Sequence, residues 1–279
     1  PEPRFRHVHT ERTVGRHQDR DGRPDLAELI RAIDGLRAAD GAPAIPRLRF
    51  VTSHPWDLSD RLIEALRDCP SVCEALHLPV QSGSDSMLRR MGRQYTIEHY
   101  LERLAALRDA VPRLALSTDV IVGFCGETEA EYEATIRLLE TVRYDQVFAA
   151  AYSERPGTPA TRLADDVPAA EKRRRLVELL ALQEEIGHER NRAWLGRETE
   201  VLVDTIVPRK SHDHEDDDAP GTPGSRDAFA HLPEGLVHLA GRSRENKLVH
   251  VAGAPSLVGS PVRVRVEHAG PYALRGMLA

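Results

Sequence analysis

Short polar clusters stand at three points of this sequence where a run of apolar residues ends. They are TSHP at 52–55, PVQSGSD at 79–85, and STD at 117–119, which leads into GFCGET at 123–128. Hydroxyl, amide and carboxylate groups of this kind can hydrogen-bond a ribose, an amino acid or another polar ligand. Ser, Gly and Asp are also common in turns and helix N-caps, so for each cluster alone a plain strand-to-helix loop is the favoured interpretation.

Apolar runs alternate with helical patterns around these clusters. The predicted strands cover 48–52, 75–80, 114–124 and 146–152. The predicted helices cover 25–37, 59–67, 97–110 and 129–142, the last two with Thr96 and Thr128 as N-caps. This alternation is typical of parallel βαβ units, in which ligands bind at the carboxyl ends of the strands. We therefore expect an α/β fold, either a doubly wound sheet or a barrel, that brings the clusters to one edge.

The remaining segments divide the chain into four parts. Residues 1–24 are rich in Arg and His without periodicity and predict an irregular arm, followed by the α/β part at 25–167. A charged connecting helix is predicted within 168–197. Residues 198–279 hold five Val- and Leu-rich runs, which predict a small all-β, five-stranded antiparallel barrel of OB-like type. Residues 208–233 interrupt its first hairpin and include an acidic stretch at 211–225, so we expect a disordered insertion there.

Composition and charge narrow the class of protein. Hydrophobic residues make up 41% and charged residues 29% of the 279 residues, which is ordinary for a globular protein. The net charge of −6 argues against coating nucleic acid through bulk electrostatics, so any RNA would be bound locally. No apolar run reaches the roughly 18 to 20 residues needed to cross a bilayer, and the amino-terminal residues lack an apolar signal. We expect a cytoplasmic protein without a membrane partner.

Five segments of the sequence, taken together in their order along the chain, are much more specific for a protein family than any one polar cluster. They are HLPVQSGSDSMLRRMGRQYT at 77–96, STDVIVGFCGETEAEYE at 117–133, YSERPGTPA at 152–160, GRSRENKLVH at 241–250, and LVGSPVRVRVEHAGPYALRGML at 257–278. In sequence and order they closely resemble the signatures of the methylthiotransferase branch of the radical S-adenosylmethionine (SAM) enzymes. The resemblance covers about residues 21–279. It implies a partial radical SAM (β/α) barrel at 25–167 and a TRAM domain, an OB-like RNA-binding module, at 198–279.

The resemblance also implies a reaction and its cofactors. In that branch a 4Fe-4S cluster reductively cleaves SAM, and the deoxyadenosyl radical takes a hydrogen from an isopentenylated adenosine beside the tRNA anticodon. Sulfur and a methyl group are then installed, with a second cluster as the sulfur site. The implied cofactors are SAM and 4Fe-4S clusters, and the implied partner is tRNA.

Eight residues of the second and third polar clusters are implied to hold the cofactor: Gln81, Ser82, Ser84, Thr118, Asp119, Gly123, Gly126 and Glu127. The amide and the serine hydroxyls would contact the ribose and amino-acid portion, and the Thr-Asp pair would face the same cavity. The two glycines would let the backbone approach closely, and the glutamate would orient the loop. The glutamate is equally consistent with an ordinary carboxylate in a first helical turn.

Basic residues of the tail are candidate RNA contacts. Residues 233–279 contain six Lys or Arg against three Asp or Glu, a local charge of +3 in an acidic protein. The candidate phosphate contacts are Arg242, Arg244, Lys247 and Arg275. A solvated strand face is the alternative for these residues. His212 and His214 stand among acids, where a flexible polar loop is favoured over a metal site.

The cysteines depart from the family pattern. Radical SAM enzymes bind their cluster through CxxxCxxC, and the three cysteines here, Cys69, Cys73 and Cys125, lack that spacing. We expect buried thiols at the first two positions, while Cys125 stands where the family usually has proline. No metal ligand is therefore predicted. We expect the chain to be the carboxyl-terminal part of the enzyme, inactive alone, with an amino-terminal half missing.

The sequence leaves two alternatives open. The chain could be an RNA-binding protein that kept the TRAM domain and lost catalysis. It could also be a methylthiotransferase for another substrate, either threonylcarbamoyl-adenosine in tRNA or a ribosomal-protein aspartate. The GRSRENKLVH segment at 241–250 favours the isopentenyl-adenosine reaction, by resemblance.

Overall fold

The computed structural model describes residues 25–51, 55–208 and 229–279. The predictions for residues 1–24 and for 209–228, and three residues of the first polar cluster at 52–54, lie outside these ranges. The described residues form a three-stranded parallel sheet flanked by helices, and a closed five-stranded barrel. The expectation of an α/β fold followed by a barrel-like β sheet is confirmed at this level.

The helices and strands run as follows in chain order. The helices are α1 (Leu26–Asp34), α2 (Asp60–Asp68), α3 (Asp85–Arg90), α4 (Ile97–Ala110), α5 (Glu129–Val142) and α6 (Ala169–Arg192). The strands of the parallel sheet are β1 (Ala75–His77), β2 (Ala115–Val122) and β3 (Gln146–Ala151). Those of the barrel are β4 (Glu198–Ile206), β5 (Val237–Ser243), β6 (Leu248–Gly253), β7 (Pro261–Ala269) and β8 (Ala273–Leu278). Among the described helices, none combines the length and apolarity that a bilayer crossing requires.

Helices α4 and α5 have the predicted bounds because their local signals agree with their packing. Thr96 caps α4 by accepting a hydrogen bond from the His99 amide, and Thr128 forms a full capping box with Glu131 at the start of α5. In α4 the buried residues Tyr100, Leu104 and Leu107 recur at helical spacing. Capping and periodicity therefore specify the same residues as helical.

The prediction of a regular first strand is wrong, and the second strand is shorter than predicted. Residues 48–51 make two isolated parallel bridges, Leu48 to Val72 and Val51 to His77. The partner lies 24 positions ahead in the first bridge and 26 in the second, so the register shifts and no continuous ladder forms. Strand β1 ends at His77: the next amide, that of Leu78, still donates to Ser117 O at 2.8 Å, but the Val80 amide donates to the Thr118 hydroxyl at 2.9 Å instead of to a backbone carbonyl.

The two faces of the parallel sheet differ in burial. On β2, the residues Thr118, Val120 and Val122 are buried on the side covered by the helices. The residues Ser117, Asp119 and Ile121 alternate with them and are partly exposed on the other side, which we call the open face. Phe148 of β3 is 52% exposed and stacks edge-on against His77 of β1. The open face is therefore accessible to a ligand.

The barrel corrects one detail of the sequence prediction. Its strand order is β4-β5-β6-β8-β7, closed by pairing of β7 with β4. All neighbours are antiparallel except β6 and β8, which are parallel. Successive strands alternate in direction, so β8 must run the same way as β6 when it inserts between β6 and β7. The expected wholly antiparallel barrel is thus wrong in one of its pairs.

Candidate functional site

The serine hydroxyls of the QSGS loop hydrogen-bond within the protein. The loop follows β1, and Ser82, which is fully buried, has its Oγ 3.3 Å from Thr135 Oγ1 of α5. The Gly83 amide donates to the same threonine oxygen at 2.9 Å. Ser84 is the N-cap of α3, a helix that the sequence analysis missed because it has only six residues. Both serines therefore shape the loop.

Gln81 turns the chain from β1 into this loop. Its φ of 71° lies in the left-handed region, which is uncommon for a residue other than glycine. The conformation is held by backbone pairing with β2, because the Gln81 amide donates to Asp119 O at 2.8 Å and its carbonyl accepts from Ile121 N at 2.9 Å. Strained residues held in this way cluster at ligand sites, so Gln81 is a good candidate for positioning a ligand.

Thr118 and Asp119 point to opposite sides of the sheet, which corrects the expectation that both face one cavity. Alternation along β2 turns Thr118 towards the helices, where its hydroxyl donates to Leu78 O and accepts from Val80 N, both at 2.9 Å. Asp119 lies on the open face with its carboxylate 3.4 Å from His77 Nε2. His77 Nδ1 is in turn 3.0 Å from Ser117 Oγ. Asp119 therefore belongs to a polar cluster that a ligand can reach.

The GFCGE loop after β2 is closed by a buried ion pair. Glu127 is 5% exposed, and its carboxylate accepts from the Gly123 amide at 2.5 Å and from Arg175 Nη1 of α6 at 2.9 Å. Burial raises the pKa of Glu127, while the Gly123 amide and the Arg175 charge oppose that shift. The contacts favour the loop-orienting role over that of a first-turn carboxylate, because Glu127 precedes the N-cap of α5.

The two glycines of this loop adopt φ values of 69° at Gly123 and 73° at Gly126. A side chain at Gly123 would collide with Lys172 of α6, and one at Gly126 would come within 2.7 Å of the Arg90 guanidinium. In this structure the groups that approach the glycine backbone closely are therefore two cationic side chains. Arg90 also donates to the Gly126 carbonyl at 2.8 Å, which fixes the turn.

The three cysteines do not fit a 4Fe-4S cluster. Cys69 and Cys73 are buried free thiols, which agrees with the expectation for them. Cys125 is also buried, packed with Met87 and Phe124 beneath the loop. Within residues 25–51, 55–208 and 229–279, no group of three or more His, Cys, Asp or Glu side chains could hold a metal ion. No step of a reaction is therefore assigned to a cluster held by these residues.

Two of the candidate RNA contacts are engaged in joining the barrel to the α/β part. Lys247 is 7% exposed, and its ammonium lies 2.7 Å from Asp145 Oδ1, beside β3. Arg244 pairs with Glu74 at 2.8 Å and donates to the carbonyl of Val72 at 2.6 Å. Such contacts already satisfy both charges within the protein.

The other two candidates are placed differently. Arg242 donates to the carbonyl of Asn246 at 3.1 Å within the β5–β6 hairpin, and Arg275 is partly exposed on β8. Arg47 and Arg49 of the α/β part donate back to hairpin carbonyls, those of Arg242 and Ser243 respectively. No local sequence pattern marks this docking, because its partners lie between about 100 and 200 positions apart.

One known protein family matches the part of the chain that holds β1, β2 and the loops that follow these strands. Residues 15–139 match the family model described as the Radical SAM superfamily. Homologues with curated names then identify the branch of this superfamily. A protein of Thermus thermophilus named tRNA-2-methylthio-N(6)-dimethylallyladenosine synthase is 47% identical over 186 residues, covering 67% of this chain and 38% of that protein. One of the same name from Acetivibrio thermocellus is 40% identical over 253 residues, covering 91% of this chain and 46% of the relative.

The chain is therefore a homologue of the tRNA-2-methylthio-N(6)-dimethylallyladenosine synthases over most of its length, with a Radical SAM region, and the resemblance seen in its motifs is confirmed. It spans about half the length of the curated relatives it matches. Among solved structures, coproporphyrinogen III oxidase from Escherichia coli, titled a Radical SAM enzyme, aligns with a TM-score of 0.41 and 20% identity. That alignment covers 48% of this chain and 31% of the other.

Proposed function

We propose that this chain takes part in the 2-methylthiolation of N(6)-dimethylallyladenosine beside the anticodon of tRNA, as part of a cytoplasmic radical SAM methylthiotransferase. The observation that carries the proposal is the 40% identity to a synthase of that name over 91% of the chain, a span that reaches both the parallel sheet and the barrel. The cluster would have to be held by cysteines other than Cys69, Cys73 and Cys125, because these three are buried and belong to no metal-ligating group of the described residues. The chain alone would then be inactive.

The open face of the sheet would carry the cofactor. SAM, when bound with its cluster, supplies the radical chemistry of this class. The contribution of this chain would be positional: Asp119 with His77 presents polar groups on the open face, and Gln81 fixes the turn at the strand end. The buried hydroxyls of Ser82 and Thr118 would hold these elements in place from behind.

The barrel would act as a TRAM domain that holds the RNA. Arg275 and Arg242 would contact phosphates, whereas Lys247 and Arg244 would fix the orientation of the barrel on the sheet. An RNA-binding protein without catalysis is the second candidate, and the buried, dispersed cysteines favour it. The two functions share the RNA site and differ only in catalysis.

Binding of anticodon stem-loops tests the shared RNA function. We expect this protein to bind an isopentenylated stem-loop more tightly than an unmodified or threonylcarbamoylated one. Arg275→Ala should weaken binding at every salt concentration and lower the salt dependence by about one phosphate contact. Folded protein that binds none of the three stem-loops at low salt would contradict the proposal.

A further inference from the structure

The outer face of three adjacent barrel strands carries basic and apolar side chains. The barrel core takes every second residue of β5, β6 and β8, among them Leu239, Val251 and Leu274. The residues that alternate with these point away from the core, and they are His238, Ala240 and Arg242 on β5, Leu248, His250 and Ala252 on β6, and Ala273, Arg275 and Met277 on β8. These nine residues, which we call the basic face, include four basic residues and no acidic one, so the face suits an anionic partner.

His250 lies at the centre of the basic face. The strand register places it opposite Ala240 on β5 and beside Arg275 on β8. Its diagonal neighbours on β5 are then His238 and Arg242. The contact with His238 is a hydrogen bond of 2.9 Å between His238 Nε2 and His250 Nδ1. His250 is therefore flanked by an arginine on each neighbouring strand.

The two flanking arginines lack an anionic partner within the described part of the chain. Arg242 is partly buried, yet its side chain contacts only the carbonyl of Asn246, at 3.1 Å, and no carboxylate. Most of its five N–H donors therefore remain available. Arg275 is partly exposed and makes no side-chain hydrogen bond or ion pair with the described residues. Two such guanidinium groups on either side of one residue favour a phosphate between them.

The histidine pair can hold one proton on His250. Burial lowers the pKa of His250, and the Arg242 charge lowers it further, so the ring is neutral at neutral pH in the free protein. An anion placed between the two arginines has the opposite effect on this ring. Burial also lowers the pKa of His238 to about 4, so His238 stays neutral and can accept the Nδ1 proton of a charged His250. The second ring nitrogen of His250, Nε2, then carries a proton for the ligand.

The remaining charged groups around His250 lie one strand or one segment farther away. Arg49 of the α/β part lines, together with Arg242, a cavity of about 390 Å³ between sheet and hairpin. The others are Asp204 on β4, Glu267 and His268 on β7, and His231 and Glu234 on the segment whose Phe229 stacks on His238. The charges nearest to His250 are therefore those of the two flanking arginines.

We propose that RNA binding on the basic face takes up a proton: an RNA phosphate lies between Arg242 and Arg275, and His250 becomes an imidazolium that donates to it. This inference rests on the RNA-binding function proposed above and adds the group that is protonated. In five-stranded barrels of OB type, oligonucleotides bind on the face of the second and third strands, and β5 and β6 hold those positions here. The proton comes from solvent, and no covalent bond changes.

Calorimetry in two buffers measures this proton directly. The complete chain is titrated at pH 7 with the isopentenylated anticodon stem-loop, once in a buffer of small ionisation enthalpy and once in Tris, whose ionisation enthalpy is large. Because the proton is taken from the buffer, the two observed heats should differ. The affinity should also rise from pH 8 to pH 6, by at most about tenfold per pH unit, which is the limit for one proton.

A pair of variants assigns the proton to His250. Glutamine in His250→Gln can still hydrogen-bond His238 but cannot be protonated, so the heats in the two buffers should become equal and the affinity should lose its pH dependence. His188→Gln, at an exposed position of α6, should retain both effects. Equal heats for the unaltered protein, with tight binding of the stem-loop, would overturn the inference and leave the RNA-binding function intact.

Two further probes separate this inference from the proposed function. If the stem-loop fails to bind but an oligouridylate binds with a proton uptake that His250→Gln abolishes, the inference holds and the proposed preference for tRNA fails. If neither RNA binds, both are refuted. Polyglutamate that binds as tightly as RNA, with the same proton uptake, would refute RNA as the occupant of the basic face.

Discussion

Lys247 of the barrel forms a buried ion pair with Asp145 of the α/β part, with Nζ 2.7 Å from Oδ1. Arg190 of α6 donates two further hydrogen bonds to the same carboxylate, each at 2.9 Å. Burial raises the pKa of Asp145, but the charges of Lys247 and Arg190 outweigh burial and leave the pKa below its ordinary value. One carboxylate therefore joins the sheet, the linking helix and the barrel.

Asp145→Asn should destabilise the protein by about 3–5 kcal/mol, because it leaves two buried or half-buried cations without their counter-charge. Lys247→Met should cost clearly less, since Arg190 still compensates Asp145. Urea unfolding at neutral pH measures both free energies of unfolding. Equal losses in the two variants would show that Asp145 is not the centre of the network.

Arg175 and Arg174 are neighbours that both pair with Glu129 and Glu171 but differ in burial. The Arg175 side chain is 5% exposed and pairs with the buried Glu127, whereas that of Arg174 is 46% exposed. Arg175→Met should cost about 3–5 kcal/mol because Glu127 loses its buried partner. Arg174→Met should cost at most about 1 kcal/mol, as exposed pairs do. Chemical denaturation of both variants tests this, and a similar loss in each would refute the assigned importance of the Glu127 pair.

Alanine substitutions at Gly123 and Gly157 separate the stability cost of a left-handed backbone from that of steric crowding. Both have positive φ, 69° and 85°, but no residue in the described part of the chain lies within 4 Å of a side chain at Gly157, while Lys172 occupies the space at Gly123. Gly157→Ala should cost about 1–2 kcal/mol from the left-handed conformation. Gly123→Ala should cost more, since Lys172 must also move away from Asp165, its partner at 2.6 Å. Thermal unfolding of the pair measures the difference, and equal melting temperatures would contradict the crowding at Gly123.

His238 makes the barrel sensitive to acid. Its ring stacks on Phe229 with centroids 3.9 Å apart, and its Nε2 lies 2.9 Å from His250 Nδ1. Burial, with a smaller effect of the His250 charge, lowers the pKa of His238 from 6.5 to about 4. The unfolded chain therefore binds more protons than the folded one between those values, so stability falls as the pH decreases from 6.5 to about 4.

The melting temperature across this pH range tests that expectation. His238→Gln should flatten the decrease, because the variant has no imidazole to protonate at this position. The exposed His188→Gln variant is the control and should retain the full decrease. An unchanged pH dependence in His238→Gln would show that other groups cause the acid sensitivity.

The sequence predicts those parts of the fold in which local signals and tertiary packing agree. The bounds of α4 and α5 follow from the caps Thr96 and Thr128 and from helical spacing. The polar loops after β1 and β2 follow from strand-to-helix alternation. The motifs also identify the relatives, because four or more ordered segments are far more specific than any single cluster.

Other features depend on contacts that no local pattern encodes. The burial of Lys247 requires Asp145, about one hundred positions earlier, and nothing in either neighbourhood marks the pair. The inward turn of Thr118 depends on carbonyl and amide partners at Leu78 and Val80 on the neighbouring segment. The cavity between sheet and hairpin exists only after the two parts have docked.

Mass spectrometry of tRNA nucleosides tests the proposed function most directly. The aligned portion of the Thermus thermophilus relative would be replaced by this chain, and the fusion protein expressed in a strain that makes N(6)-dimethylallyladenosine but lacks its methylthiolation. The account predicts that 2-methylthio-N(6)-dimethylallyladenosine appears with the fusion and is absent with this chain alone. A folded, cluster-loaded fusion that leaves N(6)-dimethylallyladenosine unchanged would contradict it.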